Sequence, residues 1–433
     1  MSKGQLLSFE RLAILAVVAI IAVSSYILVR ANWPDTVSIY VRNSGRAYPG
    51  YTLLVPTADD IGADLVESNP IYLLDRKGEI VHSWRVLGAI QLAKLDTEGN
   101  LFYITRDRSF LDRAGLRKID PFGNVLWYFR ARADHDFDFL PNGNILLNCI
   151  EDGQVPAIAP GVVRSPLIEE VSEAGTVVWE WRGQDHLAEL TALVGITFPR
   201  DISDGEHVID GAYDWAHNNT CHVIAENASG TKDPRFRAGN ILISYPNLNL
   251  IAVIDRDSGQ IVWAWGPGTL DGQHSPTMLE NGNIILFDNG TERKYSRILT
   301  VDPISQKIVW EYSDRESGRH RFFSLATSGV WPLPNGSAFV CQSSYVAPTA
   351  AARLYAAVRR RLLKKQTVFS RLFEVTPAKD VVWELVCSHS GPLQYWIYQA
   401  PKYTEAYVRP LLSVVESEEV QRRKQLKSLP YMR

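Results

Sequence analysis

Cysteine is scarce in this chain of 433 residues, which contains four, and none has the C-x-x-C spacing of a metal or redox motif. Cys149, Cys221, Cys341 and Cys387 are widely scattered. Cys149 and Cys341 end apolar runs, so we interpret them as small core residues.

An excess of one charge is also lacking, because 45 Lys and Arg residues stand against 48 Asp and Glu residues. This balance gives no reason to expect nucleic acid as a partner.

One long uncharged segment stands at the N-terminus. Residues 12–29 are eighteen consecutive uncharged residues, nearly all aliphatic, which is about the length needed to cross a bilayer. We predict a flank at residues 1–11, an uncleaved transmembrane anchor at residues 12–30 and a linker at residues 31–47. A cleaved signal peptide and a soluble protein are the alternatives. Basic residues on both sides leave the orientation open, and we expect a single-pass anchor that holds a periplasmic or extracellular domain.

A hairpin motif recurs through the rest of the chain. In each copy an apolar run is followed by a turn with Gly or Pro and then by a second apolar run that ends at Trp. Two short alternating runs joined by turn residues predict a β-hairpin. The six copies span residues 71–84, 116–127, 168–179, 251–263, 298–310 and 372–383.

A second element lies between the hairpins, a strand preceded by a turn such as Asn-Gly-Asn. It occurs five times for six hairpins, and we predict that Tyr51–Val55 supplies the missing strand by joining the last blade and closing a ring. Twelve Trp and eighteen Tyr residues are typical of propeller blades. The repeats therefore predict an all-β fold, a six-bladed β-propeller at residues 48–395, preceded by the transmembrane helix. A seven-bladed ring and an open β-array are the alternatives.

Three insertions interrupt the repeats, at residues 183–213, 222–238 and 346–368. The first mixes helical and polar character, and the second is interpreted as a surface loop. Residues 350–365 carry six basic residues, no Gly or Pro, and apolar residues near helical spacing, which predicts a basic helical insertion in the last blade. This helix either covers the propeller rim or docks on an anionic membrane surface. Residues 396–433 are interpreted as a charged C-terminal tail.

Three histidines stand at one position of the repeats. His135 and His274 precede an Asn-Gly-Asn turn by the same offset, and the pattern around His217 places it there too. The same offset falls on Gln91 and Ser328 in two other repeats. Because the innermost strand of each blade lines the central channel, we predict that these five side chains form a polar ring near the axis.

Three converging imidazoles admit two chemistries. Three histidines and a water are a known catalytic zinc set. Alternatively, one histidine is a nucleophile and the others bind an anionic group. Arg293 and Arg297, in the same repeat as His274, carry planar guanidinium groups that suit a sulfuryl or phosphoryl group. The ring position has no carboxylate, which disfavours a hard-metal site, and we expect neither a metal nor a cofactor.

Several motifs resemble the arylsulfate sulfotransferase family over about residues 50–390. They are Asp-Trp-Ala-His-Asn-Asn at residues 214–219, Gly-Gln-His at residues 272–274 and Phe-Asp-Asn-Gly at residues 287–290. The resemblance implies a six-bladed propeller that is commonly exported in bacteria. It also implies transfer of a sulfuryl group from an aryl sulfate to a phenol, both small molecules, without a nucleotide sulfate donor.

The resemblance assigns roles to particular residues. His274 matches the family's nucleophile, which becomes transiently sulfated, and His217 matches a histidine that binds the sulfuryl oxygens. His135 is interpreted as a further such residue. Asn218 and Gln273, which adjoin these histidines, are taken as substrate-binding residues together with Gln91, Ser328, Arg293 and Arg297. The family has an arginine in the strand after the Asp-Trp-x-His motif, whereas residues 241–247 of this chain contain no basic residue.

Two other functions compete with sulfuryl transfer. A propeller that binds a protein or a small ligand at its channel face, without catalysis, is the first, since fold does not determine function. A metal-dependent hydrolase built on the three histidines is the second.

Overall fold

The computed structural model describes residues 36–58, 69–86, 88–106, 114–202, 206–314, 322–343, 367–390 and 395–428. The predicted anchor at residues 12–30 and the predicted basic helix at residues 350–365 lie outside these ranges. No helix within the described ranges combines the length and the apolar character needed to span a bilayer.

The described chain contains short strands in chain order and two α-helices. The strands are β1 (Thr36–Asn43), β2 (Tyr51–Leu54), β3 (Pro56–Ala58), β4 (Asn69–Leu74), β5 (Ile80–Val86), β6 (Ala89–Leu95), β7 (Leu101–Arg106), β8 (Gly115–Ile119), β9 (Val125–Arg130), β10 (Ala133–Phe139), β11 (Ile145–Gln154), β12 (Val162–Val171), β13 (Val177–Arg182), β14 (Val208–Ile209), β15 (Ala212–Asp214), β16 (Cys221–Val223), β17 (Ile241–Tyr245), β18 (Leu250–Ile254), β19 (Ile261–Trp265), β20 (His274–Met278), β21 (Ile284–Asp288), β22 (Arg297–Asp302), β23 (Lys307–Tyr312), β24 (Gly329–Pro332), β25 (Ala338–Gln342), β26 (Thr367–Val375), β27 (Val381–Ser390), β28 (Tyr395–Ile397) and β29 (Lys402–Tyr403). The helices are α1 (Leu187–Val194) and α2 (Glu405–Ser428).

Six antiparallel sheets form the blades of a propeller. From the inner to the outer edge they are β29-β2-β4-β5, β6-β7-β8-β9, β10-β11-β12-β13, β16-β17-β18-β19, β20-β21-β22-β23 and β24-β25-β26-β27-β1. We number them blades 1 to 6 in this order. The predicted all-β six-bladed propeller is confirmed.

The six predicted hairpins are the strand pairs β4–β5, β8–β9, β12–β13, β18–β19, β22–β23 and β26–β27. The turns of blades 1, 2 and 4 share one chemistry, in which an Asp side chain accepts backbone N–H groups and a Gly has positive φ. In blade 2, Asp120 accepts hydrogen bonds from the backbone N–H groups of Phe122 and Asn124. Gly123 completes the turn with φ 89°, a conformation that glycine adopts without strain. The Asp and Gly spacing was therefore a reliable signal for these turns.

Ring closure differs from the prediction for Tyr51–Val55. Strand β2 does not join the last blade; it pairs with β4 in blade 1 and with β29 from the C-terminus. In blade 6, β1 pairs with β27 and adds a fifth strand at the outer edge of the sheet. The prediction was wrong because the terminal strands that join the ring are β1 and β29. They come from segments predicted as the linker at residues 31–47 and as the tail at residues 396–433. The folded propeller thus extends beyond residues 48–395 at both ends.

Two predicted insertions fold onto the blades. In residues 183–213, α1 is followed by β14 and β15, and β15 adds to β12 in parallel. In residues 222–238, the expected surface loop instead contributes to β16, the innermost strand of blade 4. The loop also buries Phe236, whose ring lies 5.5 Å from that of Trp263. Burial of this aromatic ring fixes the segment against blade 4, although its composition is otherwise that of a loop.

Candidate active site

The histidines at the predicted ring position converge at one end of the central channel. His135 lies in β10, His217 precedes β16, and His274 opens β20, on three neighbouring blades. The ring centroids of His135 and His217 are 4.6 Å apart. The ring of Tyr398 packs beside them, 5.6 Å from that of His135 and 6.2 Å from that of His274.

The backbone is strained where these side chains leave their strands. His135 and His217 have positive φ angles of 64° and 54°, and in blade 5 Ser275 takes this role with φ 52°. The pairing register also shifts at this point in β10 and in β20. Such conformations are unfavourable for residues other than Gly and are concentrated at functional sites. The bulges direct the side chains toward the axis.

His274 is held as a neutral imidazole with a defined tautomer. Its Nδ1 lies 2.8 Å from Oδ1 of Asn289 and 3.0 Å from the carbonyl oxygen of Gly272. Asn289 is itself oriented, since its Nδ2 donates to the carbonyl oxygens of Ser324 and Thr327. Both partners of Nδ1 are acceptors, so Nδ1 carries the proton and Nε2 carries the lone pair. Burial lowers the pKa of His274 to about 3.

His217 has the opposite electrostatic character. Its Nδ1 lies 2.5 Å from Oδ2 of Asp214, and its backbone N–H donates to Oδ1 of the same carboxylate. Burial alone would lower the pKa of His217, but Asp214 outweighs burial and raises it. The pKa values of His217 and His274 are thus shifted in opposite directions within one site.

His135 is supported by a carboxylate and an arginine. Its Nδ1 lies 2.7 Å from Oδ2 of Asp134, and Oδ1 of Asp134 lies 2.9 Å from Nε of Arg106. Burial alone would raise the pKa of Asp134, but Arg106 and His135 hold it far below its usual range. Burial also lowers the pKa of His135 itself. All three imidazoles thus have Nδ1 fixed by an oxygen acceptor.

The three histidines line a cavity of about 420 Å³ that opens at one end of the channel. This volume lies in the range of small-molecule sites. The insertion between blades 3 and 4 and loops of blades 5 and 6 form its mouth. The other lining residues are Glu206, His207, Ile209, Pro246, Asn247, Asn249, Asp271, Gly272, Thr291, Glu292, Leu325, Ala326 and Thr327.

The profile of the arylsulfotransferase (ASST) family matches residues 38–270, which is more than half of the chain. The chain belongs to the arylsulfotransferase family. The match covers His135 and His217 directly and ends four residues before His274.

Several solved structures match the chain at low identity. A protein of unknown function from Bacteroides caccae is 16% identical, with 83% of this chain and 100% of that chain covered and a TM-score of 0.47. BamB from Moraxella catarrhalis is 12% identical, with 82% and 99% covered and a TM-score of 0.31. AztD from Citrobacter koseri is 7% identical, with 82% and 99% covered and a TM-score of 0.38. No curated protein matches the chain significantly in sequence.

Four of the predicted substrate-binding residues lie behind the cavity wall of this arylsulfotransferase-family chain. The side chain of Gln91 accepts the backbone N–H of His135 at 2.6 Å, and Asn218 donates to Asn148 at 2.7 Å. Gln273 donates to the carbonyl oxygen of Leu250. Ser328, with φ 83°, donates to Ser324. These side chains hold the strained backbone in place, and none of them lines the cavity.

Arg293 and Arg297 are also separated from the cavity, which corrects their predicted role. Nη2 of each lies within 2.9 Å of Oδ2 of Asp288, a fully buried carboxylate of blade 5. Arg297 further donates to the carbonyl oxygen of Thr269. Their charge compensates Asp288 inside the blade. Arg106 lies closer to the histidines in the sense that it pairs with Asp134, the carboxylate that contacts His135.

Other functional residues were missed by the sequence reasoning. Tyr398 lies in the segment predicted as the tail. It follows Tyr395 and Trp396, aromatic residues that are typical of a strand and that belong to β28. Asp134 adjoins His135, and Asp214 and Asn289 lie inside the quoted family motifs, so a search for partners of Nδ1 would have found them.

A buried ion triad lies deeper in the channel. Nζ of Lys94 is 2.9 Å from Oδ1 of Asp136, and Nε2 of His222 is 3.0 Å from Oδ2 of the same carboxylate. The three residues belong to the innermost strands of blades 2, 3 and 4. Within the described ranges, no group of three or more His, Cys, Asp and Glu side chains has an arrangement that could hold a metal ion.

Proposed function

We propose that the protein transfers a sulfuryl group from an aryl sulfate to a phenol through a sulfohistidine at Nε2 of His274. Membership of the arylsulfotransferase family supports the reaction class. The observation that carries the assignment of the nucleophile is that Nδ1 of His274 has two uncharged oxygen acceptors, whereas Nδ1 of His135 and Nδ1 of His217 each face a carboxylate. An imidazole with a pKa of about 3 keeps its lone pair at any physiological pH.

In the first half of the proposed reaction, the lone pair on Nε2 of His274 attacks sulfur. The S–N bond forms as the S–O bond to the aryl group breaks, and the phenolate leaves with the bonding electrons. The His217 imidazolium stabilises the negative charge of the sulfuryl oxygens and of the departing phenolate.

In the second half, an acceptor phenol attacks the sulfur of the sulfohistidine. The S–N bond breaks, and its electrons return to Nε2 of His274. Neutral His135 receives the phenolic proton on Nε2, because its Nδ1 is engaged with Asp134, and then releases this proton to solvent, which restores the neutral imidazole. The cycle is of the ping-pong type, since the first product leaves before the acceptor reacts.

The test uses 4-nitrophenyl sulfate as donor and phenol as acceptor. We expect release of nitrophenolate that depends on the acceptor, and an intact-protein mass increase of one sulfuryl group when the acceptor is omitted. His274→Ala should abolish both signals. His186→Ala is the matched control, because His186 stacks on Trp181 away from the cavity and should leave both signals unchanged.

The competing binding function has a distinct outcome. A propeller that only binds aryl sulfates would show saturable binding of the donor without nitrophenolate release or added mass. This result would end the proposal for catalysis while leaving the fold and the cavity intact.

We further propose that residues 12–30 anchor the domain in a membrane, with the propeller on the periplasmic or extracellular side. The support is the uncharged run of eighteen residues. The full chain should remain with membranes after alkaline extraction, whereas a chain that starts at residue 36 should be released. Release of both chains would contradict the anchor.

A further inference from the structure

Neighbouring blades are joined near their outer strands by a repeated hydrogen bond. A ring N–H from an outer strand donates to a carbonyl oxygen in the outer turn of the next blade. The bonds are Trp84 to Asp120 (3.3 Å), Trp181 to Gly259 (2.7 Å), Trp263 to Pro303 (3.2 Å), Trp310 to Pro377 (2.9 Å) and Trp383 to Arg76 (2.7 Å). These five bonds connect blades 1 to 2, 3 to 4, 4 to 5, 5 to 6 and 6 to 1.

The junction between blades 2 and 3 departs from this pattern. Trp127 lies opposite Lys118, the register position that Trp263, Trp310 and Trp383 occupy in their own hairpins. Trp84 and Trp181 donate instead from two residues farther along their strands. Its ring stacks on Phe129 at 6.0 Å. Within the described part of the chain, however, its indole N–H has no acceptor. The donor lies near Gly175 in the outer turn of blade 3, and no carbonyl oxygen of that turn accepts its hydrogen bond.

A cavity of about 530 Å³ occupies this junction. It lies at the end of the blades where the Asn-Gly turns are, away from the histidine ring. Phe102, Trp127 and Phe139 give it aromatic walls, and the rings of Phe102 and Phe139 meet edge to face at 5.1 Å. Tyr407, from α2, closes one side and is held by its own hydrogen bond to the carbonyl oxygen of Leu95. The size is that of a small-molecule site.

The charge around this cavity is negative. Asp96, Glu98 and Glu173 line it, against one lysine. The ammonium group of Lys118 is already paired, 3.2 Å from Asp96 and 3.7 Å from Glu98, above the ring of Phe102. Glu173 sits in the outer turn of blade 3 and is exposed to solvent. A cationic ligand therefore complements this site better than an anionic one.

We propose that the junction of blades 2 and 3 is a second ligand site, which binds a planar aromatic molecule carrying a hydrogen-bond acceptor and a basic amine. The aromatic ring lies between Phe102, Trp127 and Phe139. The acceptor receives the indole N–H of Trp127, taking the place of the carbonyl at the other junctions. The ammonium group lies toward Glu173 and Glu98. The site is independent of sulfuryl transfer at His274.

The probe is 4-methoxybenzylamine, which has an ether oxygen as acceptor, an ammonium group and no phenolic hydroxyl to react. Calorimetry or saturation-transfer NMR should give a millimolar dissociation constant, as expected for a ligand of this size. Removal of the acceptor in 4-methylbenzylamine should weaken binding about fivefold, the effect of one hydrogen bond. The anionic 4-methoxyphenylacetate should bind more weakly still.

Variants locate the site. Trp127→Phe keeps the aromatic wall and removes the indole N–H. It should lower the affinity for 4-methoxybenzylamine about fivefold and remove the preference for this compound over 4-methylbenzylamine. Glu173→Gln, on an exposed turn, should lower the affinity for 4-methoxybenzylamine and should not lower the affinity for 4-methoxyphenylacetate. Trp310→Phe is the control, because its N–H is already bonded to Pro377, and it should leave binding unchanged.

The proposal is overturned by absence of binding to the unmodified protein, or by equal affinity for the Trp127→Phe and unmodified proteins. Loss of binding in His274→Ala would place the probe in the central cavity and overturn it as well. Persistence of binding in His274→Ala, together with loss of sulfuryl transfer, would show that the two sites are separate.

Discussion

At the scale of single residues, the tautomer of His274 depends on Asn289. Asn289→Ala removes the closer acceptor of Nδ1 and leaves only the carbonyl oxygen of Gly272. The proton then populates Nε2 part of the time, and we expect kcat for aryl sulfate cleavage to fall about 10–100-fold. Initial rates with a saturating donor provide the measurement.

A matched variant separates orientation from packing. Asn289→Asp keeps an oxygen acceptor for Nδ1 and should retain more activity than Asn289→Ala. Its carboxylate should also raise the pKa of His274, so that activity is lost at a higher pH on the acid side. Equal loss in both variants, with no shift of the acid limb, would show that Asn289 acts only through packing.

The pH dependence also follows from single residues. The proposed reaction requires neutral His274 and protonated His217. The pKa of His274 is about 3, so activity should persist far below the usual histidine range before acid removes it. The pKa of His217 is raised, so its cation is fully present below the ordinary pKa of histidine and is lost only as the pH rises through the raised pKa.

The profile of kcat/KM against pH checks this prediction. Asp214→Asn removes the group that raises the pKa of His217 and should move the basic limb to lower pH. A basic limb that stays in place in Asp214→Asn would assign that limb to another group, such as the acceptor phenol.

The sequence located the histidines but not their surroundings. Three repeats set His135, His217 and His274 at one offset, and repetition in a ring translates directly into convergence. Arg293 and Arg297 were misplaced because nearness in the chain does not give side-chain direction, and a buried carboxylate at Asp288 attracts both. Such ion pairing is decided by tertiary packing, which leaves no periodic trace in the sequence.

At the scale of elements, strand β1 protects the outer edge of blade 6. It pairs with β27 from Thr36 to Asn43. A chain that starts at residue 44 would expose that edge to pairing with other molecules. Relative to a chain that starts at residue 36, we expect a Tm about 5 °C lower and a tendency to associate.

Calorimetry and size-exclusion chromatography of the two chains provide the comparison. An unchanged Tm and a single monodisperse peak for the shorter chain would show that β1 contributes nothing to stability or solubility.

The elements divide into those the sequence could reveal and those it could not. The outer hairpins carry their own turn signals, as in the Asp120 to Asn124 turn, and local chemistry was sufficient to find them. Strand β29 has two residues and pairs with β2, about 350 positions earlier in the chain. A strand that short has no periodicity, and its partner is fixed only when the ring closes.

At the scale of the whole molecule, the triad of Lys94, Asp136 and His222 ties three blades together. Asp136 is fully buried, and burial alone would raise its pKa, but Lys94 and His222 hold it well below its usual range. Asp136→Asn leaves the Lys94 ammonium buried without its counter-charge. We expect the free energy of unfolding to fall by roughly 3–5 kcal/mol.

Denaturant unfolding measures this loss, and two further variants control it. Asp380→Asn breaks the exposed pair with Arg46 and should cost less than about 1 kcal/mol. Adding Lys94→Met to Asp136→Asn removes the unpaired charge and should recover part of the stability. Equal effects of Asp136→Asn and Asp380→Asn would mean that the triad adds no more than a surface pair.

Tyr398 links the candidate site to the closure of the ring. Its ring packs beside those of His135 and His274, although it follows all six blade hairpins in the chain. The candidate site is therefore complete only in a closed ring, and an isolated group of blades would lack one of its aromatic side chains.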